Sequence, residues 1–262
     1  MPKVRVNDIE LYYEVHGQGY PVVFQHGFGA TVSMWQPQVP VLSREYQFVI
    51  YDARGHGQSE SPPSPDQYSA DIVVEDLFQL LRTLGIEKAV VGGLSMGGYD
   101  SLRFYLRHPQ MVTALIAMDT GPGYRNPTRR EEWNRQREEA ANLLETQGTE
   151  AHYAAGYTPS YITREVFLKQ NPTGLAHMAR KVVGQHDSWV IENLGEIKVP
   201  TLVLVGEEDT PFLQSAEYMS KAIPGAQHVV IPKAGHGANL DNVEAFNKAI
   251  LDFLRKLNLP KG

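Results

Sequence analysis

Along the 262 residues, the spacing of apolar and polar positions changes several times, and the changes mark out elements. Lys3–Val6 and Glu10–Val15 alternate polar with apolar around Asn7-Asp8, which predicts a β-hairpin. Val22-Val23-Phe24 and Gln47–Tyr51 are short apolar runs of the kind that form buried strands, and each runs into a glycine-containing loop. From Ser69 to Leu84 the period becomes helical, with Ile72, Val73, Leu77, Leu80, Leu81 and Leu84 on one stripe and Gly85 as terminator. Ala89–Gly92 is a strand candidate, Tyr99 to His108 a helix closed by Pro109, and Ala114–Met118 the next strand. After a long interruption the rhythm resumes with strand Thr201–Val205, a helix around Gln214–Ile223 and strand Gln227–Ile231. The final helix, Val243–Lys256, carries Phe246, Ile250, Phe253 and Leu254 on one face. Eight strands alternating with helices predict an α/β fold with a mostly parallel sheet flanked by helices.

The interruption spans about Gly121 to Glu196 and contains no run resembling a central strand. Its Arg129–Leu144 segment predicts a charged helix with Glu131/Arg135 and Arg135/Glu139 at i,i+4 spacing, the pattern of a solvated face. Trp133, Ala140 and Leu144 form the inward stripe of that helix, and Tyr153, Tyr157, Tyr161, Phe167, Met178 and Trp189 add more bulky surface than a linker carries. An insertion of this size reads as a helical cap after the sixth strand. The predicted division is a core of residues 1–121 and 197–262 with a cap of residues 122–196.

Composition narrows the classes. Hydrophobic content of 42% and charged content of 21% are those of an ordinary globular chain. A net charge of −6 supports neither a nucleic-acid nor an anionic-membrane surface. No apolar run reaches the ~18–20 residues of a membrane span, and Met1–Val6 lacks the apolar segment of a signal peptide. The chain has no cysteine, which removes thiol nucleophiles, thiolate metal sites and disulfides together. These features point to the cytoplasm. They carry no signal for an oligomeric state.

The candidate chemistry begins at Gly93-Leu94-Ser95-Met96-Gly97, a G-x-S-x-G turn between the fifth strand and the helix that follows. A chain reversing from strand to helix over one residue forces the serine into a strained backbone. Side chains two positions to either side would collide with the neighbouring elements, so glycine is required there. The result is an exposed hydroxyl beside a helix N-terminus. A serine hydroxyl is a weak nucleophile at neutral pH without a base, and the base needs an acid to set its tautomer. Asp209 and His236 follow Ser95 in the order acid, then base, each just after a predicted strand. Loops at the C-terminal ends of parallel strands converge on one rim. Glu207 and Glu208 rival Asp209 as the acid. Among nine histidines only His236 lies in a late loop flanked by glycines. Backbone N–H groups of Met96, after the serine, and Phe28, in the His26-Gly27-Phe28-Gly29 turn, are the candidate oxyanion donors. His26 lacks any companion spacing for a metal, and neither metal nor cofactor is expected.

Five motifs in order, His26–Gly29, Tyr51-Asp52-Ala53-Arg54-Gly55-His56-Gly57-Gln58-Ser59, Gly93–Gly98, Gly206–Asp209 and Gly235-His236, make the chain resemble the α/β-hydrolase superfamily along essentially its whole length. Within it, Met34–Pro40 and Gly93–Gly98 look like oxoadipate enol-lactone hydrolases and small carboxylesterases. The resemblance implies a cofactor-free serine hydrolase with the triad Ser95, Asp209 and His236, acting on a small-molecule ester or lactone. The same equipment serves C–C bond hydrolysis of ring-fission products, perhydrolase or haloperoxidase chemistry, and slow-turnover ligand reception. Trp35, Tyr124, Trp133 and Trp189 are the expected substrate-binding aromatics. Arg125, Arg129 or Arg130 is available to a substrate carboxylate, and spacing does not single one out.

Overall fold

A computed structural model describes residues 2–259. Its strands are β1 (Lys3–Val6), β2 (Ile9–His16), β3 (Tyr20–Gln25), β4 (Tyr46–Tyr51), β5 (Ala89–Leu94), β6 (Val112–Met118), β7 (Thr201–Gly206) and β8 (Gln227–Ile231). They form one sheet in the order β1-β2-β4-β3-β5-β6-β7-β8, in which β2 runs against both its neighbours and every other pairing is parallel. The predicted eight-stranded, mostly parallel sheet is therefore present.

The helices are α1 (Val39–Leu42), α2 (Ala70–Thr83), α3 (Met96–Arg107), α4 (Pro127–Ala154), α5 (Arg164–Leu168), α6 (Pro172–Met178), α7 (Trp189–Glu192), α8 (Thr210–Ala222), α9 (Ala238–Asp241) and α10 (Val243–Lys256). Alternate strand residues feed opposite faces of the sheet. Val23, Val91, Leu115 and Val203 pack with α2, α3 and α8, whereas Phe24, Val90, Ile116 and Leu204 pack with α10 and part of the insertion. Both faces are covered, which is why the central strands are apolar without interruption.

Local signals explain most element ends. Ser69 caps α2 by accepting the Ile72 N–H at 3.1 Å, and Gly85 beyond it takes φ +69°. The α3 helix starts at Met96, three residues before the predicted start, because Gly97 and Gly98 are its first turn rather than part of the loop. The insertion between β6 and β7 is helical as expected, but its long helix continues past Leu144 to Ala154, broken in direction at Gly148 (φ 79°, ψ −174°). Arg135 and Glu139 meet at 4.0 Å on its solvated side, both well exposed. Among the described residues no helix is long and apolar enough to cross a membrane.

Candidate active site

Ser95 sits between β5 and α3 at φ 55°, ψ −112°, outside the left-handed helical region and strained for any residue with a Cβ. Its surroundings hold it there. The Ser95 N–H donates to the Met118 carbonyl at 2.8 Å, and the Thr120 hydroxyl donates to the Ser95 carbonyl at 2.7 Å. The flanking glycines are sterically obligatory. A Cβ on Gly93 would stand 2.4 Å from the Gly97 carbonyl carbon, and one on Gly97 would stand 2.3 Å from the Gln25 oxygen. The constraint expected from sequence is thus a matter of contact with β3 and with the turn itself.

The loop after β7 brings Asp209 to the same rim. Asp209 stands at the N-cap position of α8, yet its carboxylate caps no helix N–H. Instead Oδ2 lies 2.8 Å from His236 Nδ1, and His236 Nε2 lies 2.9 Å from Ser95 Oγ. Asp209 is buried, the imidazole is 20% exposed, and Phe212 stacks on it at 4.7 Å between ring centres. Glu207 and Glu208 take no part. The Glu207 carboxylate accepts the Lys233 N–H instead.

The other candidate histidines support backbone. His26 is buried, donates through Nδ1 to the Gly27 carbonyl and accepts the Ala53 N–H at Nε2. His56 likewise donates to the Arg54 carbonyl and accepts the Gly29 N–H. Burial holds His26 down at about 4 and His56 well below its ordinary value, so both are neutral struts between two loops at pH 7. They shape the turn in which the Ala30 N–H bonds the Gly27 carbonyl and Gly29 takes φ 76°. Phe28 lies at its corner. Met96, the first residue of α3, has an N–H with no intrahelical acceptor.

One residue of the site carried no sequence motif. Asp119, directly after β6 at φ 45°, accepts the Gly206 N–H at 2.7 Å and the Ala238 N–H at 3.1 Å. It ties the loop bearing Asp209 to the loop bearing His236. Burial raises its pKa to about 7, with the Gly206 N–H working in the opposite direction.

A cavity of about 210 Å³ opens over Ser95 and His236. Phe28, Met96, Tyr99 and Phe212 line it from the core, and Tyr124, Trp133 and Tyr157 line it from the insertion between β6 and β7. Two of the expected substrate aromatics are elsewhere. Trp35 is fully buried, 5.2 Å from Phe24, because the short helical turn Val32–Trp35 folds it onto the sheet beside β3. Trp189 lies under the guanidinium groups of Arg103 and Arg107, because α7 docks on the outer face of α3. None of the three arginines expected for a carboxylate lines the cavity either. Arg125 reaches the Ile191 carbonyl, Arg130 binds the Tyr124 and Arg125 carbonyls, and Arg129 is exposed. Arg137 lines it instead. Its signal was present in the sequence, since it lies four residues after Trp133 and three before Ala140, on the inward stripe.

A family model for the alpha/beta hydrolase fold matches residues 20–243. The putative carbamate hydrolase RutD of Serratia proteamaculans (strain 568) is 27% identical, over 94% of this chain and 96% of its own length. Among solved structures, the enol-lactonase of Burkholderia xenovorans LB400 superposes with a TM-score of 0.85 at 29% identity, covering 97% of this chain and 100% of that one. A thermophilic esterase from Thermogutta terrifontis, solved with malate bound, gives a TM-score of 0.88 at 30% identity, covering 98% and 99%.

Proposed function

The chain belongs to the α/β-hydrolase fold family, and from that membership we propose that it cleaves small carboxylic esters through an acyl-enzyme on Ser95. The observation that carries this reading is the series Ser95 Oγ, His236 Nε2, His236 Nδ1, Asp209 Oδ2, linked at 2.9 and 2.8 Å at the floor of the cavity. Asp209 fixes the tautomer in which Nδ1 carries the proton, leaving Nε2 free to take the one on Oγ. Oγ attacks the ester carbonyl, and the tetrahedral oxyanion forms toward the N–H groups of Phe28 and Met96. His236 passes the proton to the leaving alkoxide. A water, deprotonated by the same imidazole, then releases the acid and restores Ser95.

The cavity favours a small substrate. At about 210 Å³ it lies below the ~300–1,000 Å³ of drug-sized ligand sites. Residues 122–196 form the cap in this reading, since Tyr124, Trp133 and Tyr157 of this segment line the cavity. A lactone is an ester closed in a ring, and the likeness to an enol-lactonase over the whole chain favours lactone hydrolysis as the second reading. A fluorophosphonate probe should add its mass to Ser95 alone and abolish turnover of short-chain esters. Labelling elsewhere, or turnover that survives complete labelling, would refute the reading. Relative kcat/KM on a short ester and a lactone of equal carbon number separates the two substrate classes.

A further inference from the structure

We propose that Arg137 recognises an anionic group on the substrate, so that the preferred esters or lactones carry a carboxylate besides the bond that is cleaved. The inference deepens the ester-hydrolase reading and rests on it for the identity of the reacting bond. Arg137 lines the same cavity as Ser95 and His236. Its guanidinium stands 4.5 Å over the Trp133 ring, and its Nε is buried without a hydrogen-bond partner among the described residues.

The groups facing it are two phenols and an imidazole. Tyr124 approaches from the segment before α4, Tyr157 from the segment after it, and His152 from the end of α4 itself. Burial next to Arg137 holds His152 down at about 4, so it supplies no countercharge and adds no competing cation. Of the acids of α4, Glu138 and Glu145 are engaged with Arg180, Glu139 with Arg135 and Glu150 with Arg164, while Glu131 and Glu132 are exposed to solvent.

The contrast with the other inward arginines decides the matter. Arg54 is paired with Asp76 and Asp8, and Arg103 with Asp71 and Asp187. An arginine cannot shed its proton in a protein, so partly burying it without a carboxylate partner is costly, and here the cost is retained in the cavity that holds Ser95 and His236. The planar guanidinium fork matches a carboxylate in two parallel hydrogen bonds. The cavity lining beside it offers phenols and the Trp133 ring, whose N–H is taken by the Val183 carbonyl, but no carboxylate.

The test uses two pairs of near-isosteric esters that differ in one carboxylate. Monomethyl succinate against methyl isocaproate places the charge on the acyl side; acetoxyacetate against isobutyl acetate places it on the alcohol side. The wild-type enzyme should favour the acid in at least one pair by about tenfold to hundredfold in kcat/KM. Arg137→Gln should bring that ratio toward one. Arg137→Lys, which keeps the charge without the fork, should retain part of it and covers the case in which the glutamine variant does not fold.

A second readout needs no turnover. Succinate should raise the melting temperature of a Ser95→Ala variant, and the added Arg137→Gln should remove the rise. A purely structural arginine would instead lower the melting temperature when replaced and leave substrate ratios untouched. Wild-type ratios of one or below in both pairs, or a ratio unchanged by Arg137→Gln, would overturn the inference while leaving the ester reading intact. Absence of ester turnover with a persistent, Arg137-dependent succinate effect would overturn the ester reading and uphold the anion site.

Discussion

Asp119 accepts the backbone N–H of Ala238 at 3.1 Å, two residues beyond the imidazole that faces Ser95. Its other oxygen holds Gly206, at the start of the loop that carries Asp209. Asp119 does not line the cavity, so in the ester-hydrolase reading it is a positioning residue. In Asp119→Asn one oxygen becomes an NH2 group and faces a backbone N–H, donor against donor. Small displacements of a proton-transfer group are expensive in rate. The expected outcome is a kcat lowered about tenfold to hundredfold with KM nearly unchanged, read by steady-state kinetics on a short ester. A fall confined to KM would place Asp119 at the substrate instead.

Replacing Ser95 tests the chemistry apart from the fold. Ser95→Ala should reduce kcat/KM on short esters by about 10⁴-fold or more, because no other hydroxyl replaces Oγ beside His236 Nε2. Its thermal transition should stay within a few degrees of wild type, since the strained backbone is held by Met118 and Thr120 rather than by the hydroxyl. Residual activity near the wild-type level would remove Ser95 from the mechanism.

Tyr161 packs behind His236, at 5.8 Å between ring centres, and fills the space beside Gly27 and Gly237 where side chains would collide with it. Its hydroxyl is buried and has no hydrogen-bond partner among the described residues. A buried, unsatisfied hydroxyl costs about 1–3 kcal/mol. Tyr161→Phe should therefore raise the melting temperature by roughly 2–4 °C for each kcal/mol recovered. Calorimetry checks the direction. A lower melting temperature would show that the hydroxyl is solvated or bonded.

Asp100 gives a pH dependence with a definite sign. It is buried on α3, accepts from Gln25 Nε2 through one oxygen, and leaves the other unpaired. Burial raises its pKa from 3.8 to about 7. Between these values the folded chain binds the proton more tightly than the unfolded one. The contribution is fully present below about pH 4 and is lost as pH rises through about 7. Asn cannot ionise and keeps an oxygen for Gln25. The stability of Asp100→Asn relative to wild type should thus increase by roughly 2–4 kcal/mol between pH 4 and pH 8, measured by urea unfolding at both. A difference independent of pH would mean that Asp100 titrates normally.

The strands, their order of appearance and the G-x-S-x-G turn were legible in the sequence because their causes are local. An uninterrupted apolar run marks each central strand, and the contact of Gly93 with Gly97 within the turn itself admits no side chain. The placement of Asp209 and His236 after β7 and β8 was legible for a related reason, since parallel strands deliver their trailing loops to one rim. The cavity wall was not legible. Trp35, Trp133 and Trp189 are equivalent as residue types, yet one packs on the sheet, one faces the cavity and one covers α3. That sorting depends on how the inserted helices dock, which is set by contacts between elements far apart in the chain. Asp119 was missed for the same reason, since it acts on groups brought near only by the tertiary fold; Arg137 lay on the inward stripe of α4, but only the tertiary fold puts it in the cavity of Ser95. The sequence by itself determined where a reactive serine could stand, and the packing of α4 decided that an unpaired guanidinium would share its cavity, because backbone strain is local while the pairing of a charge is not.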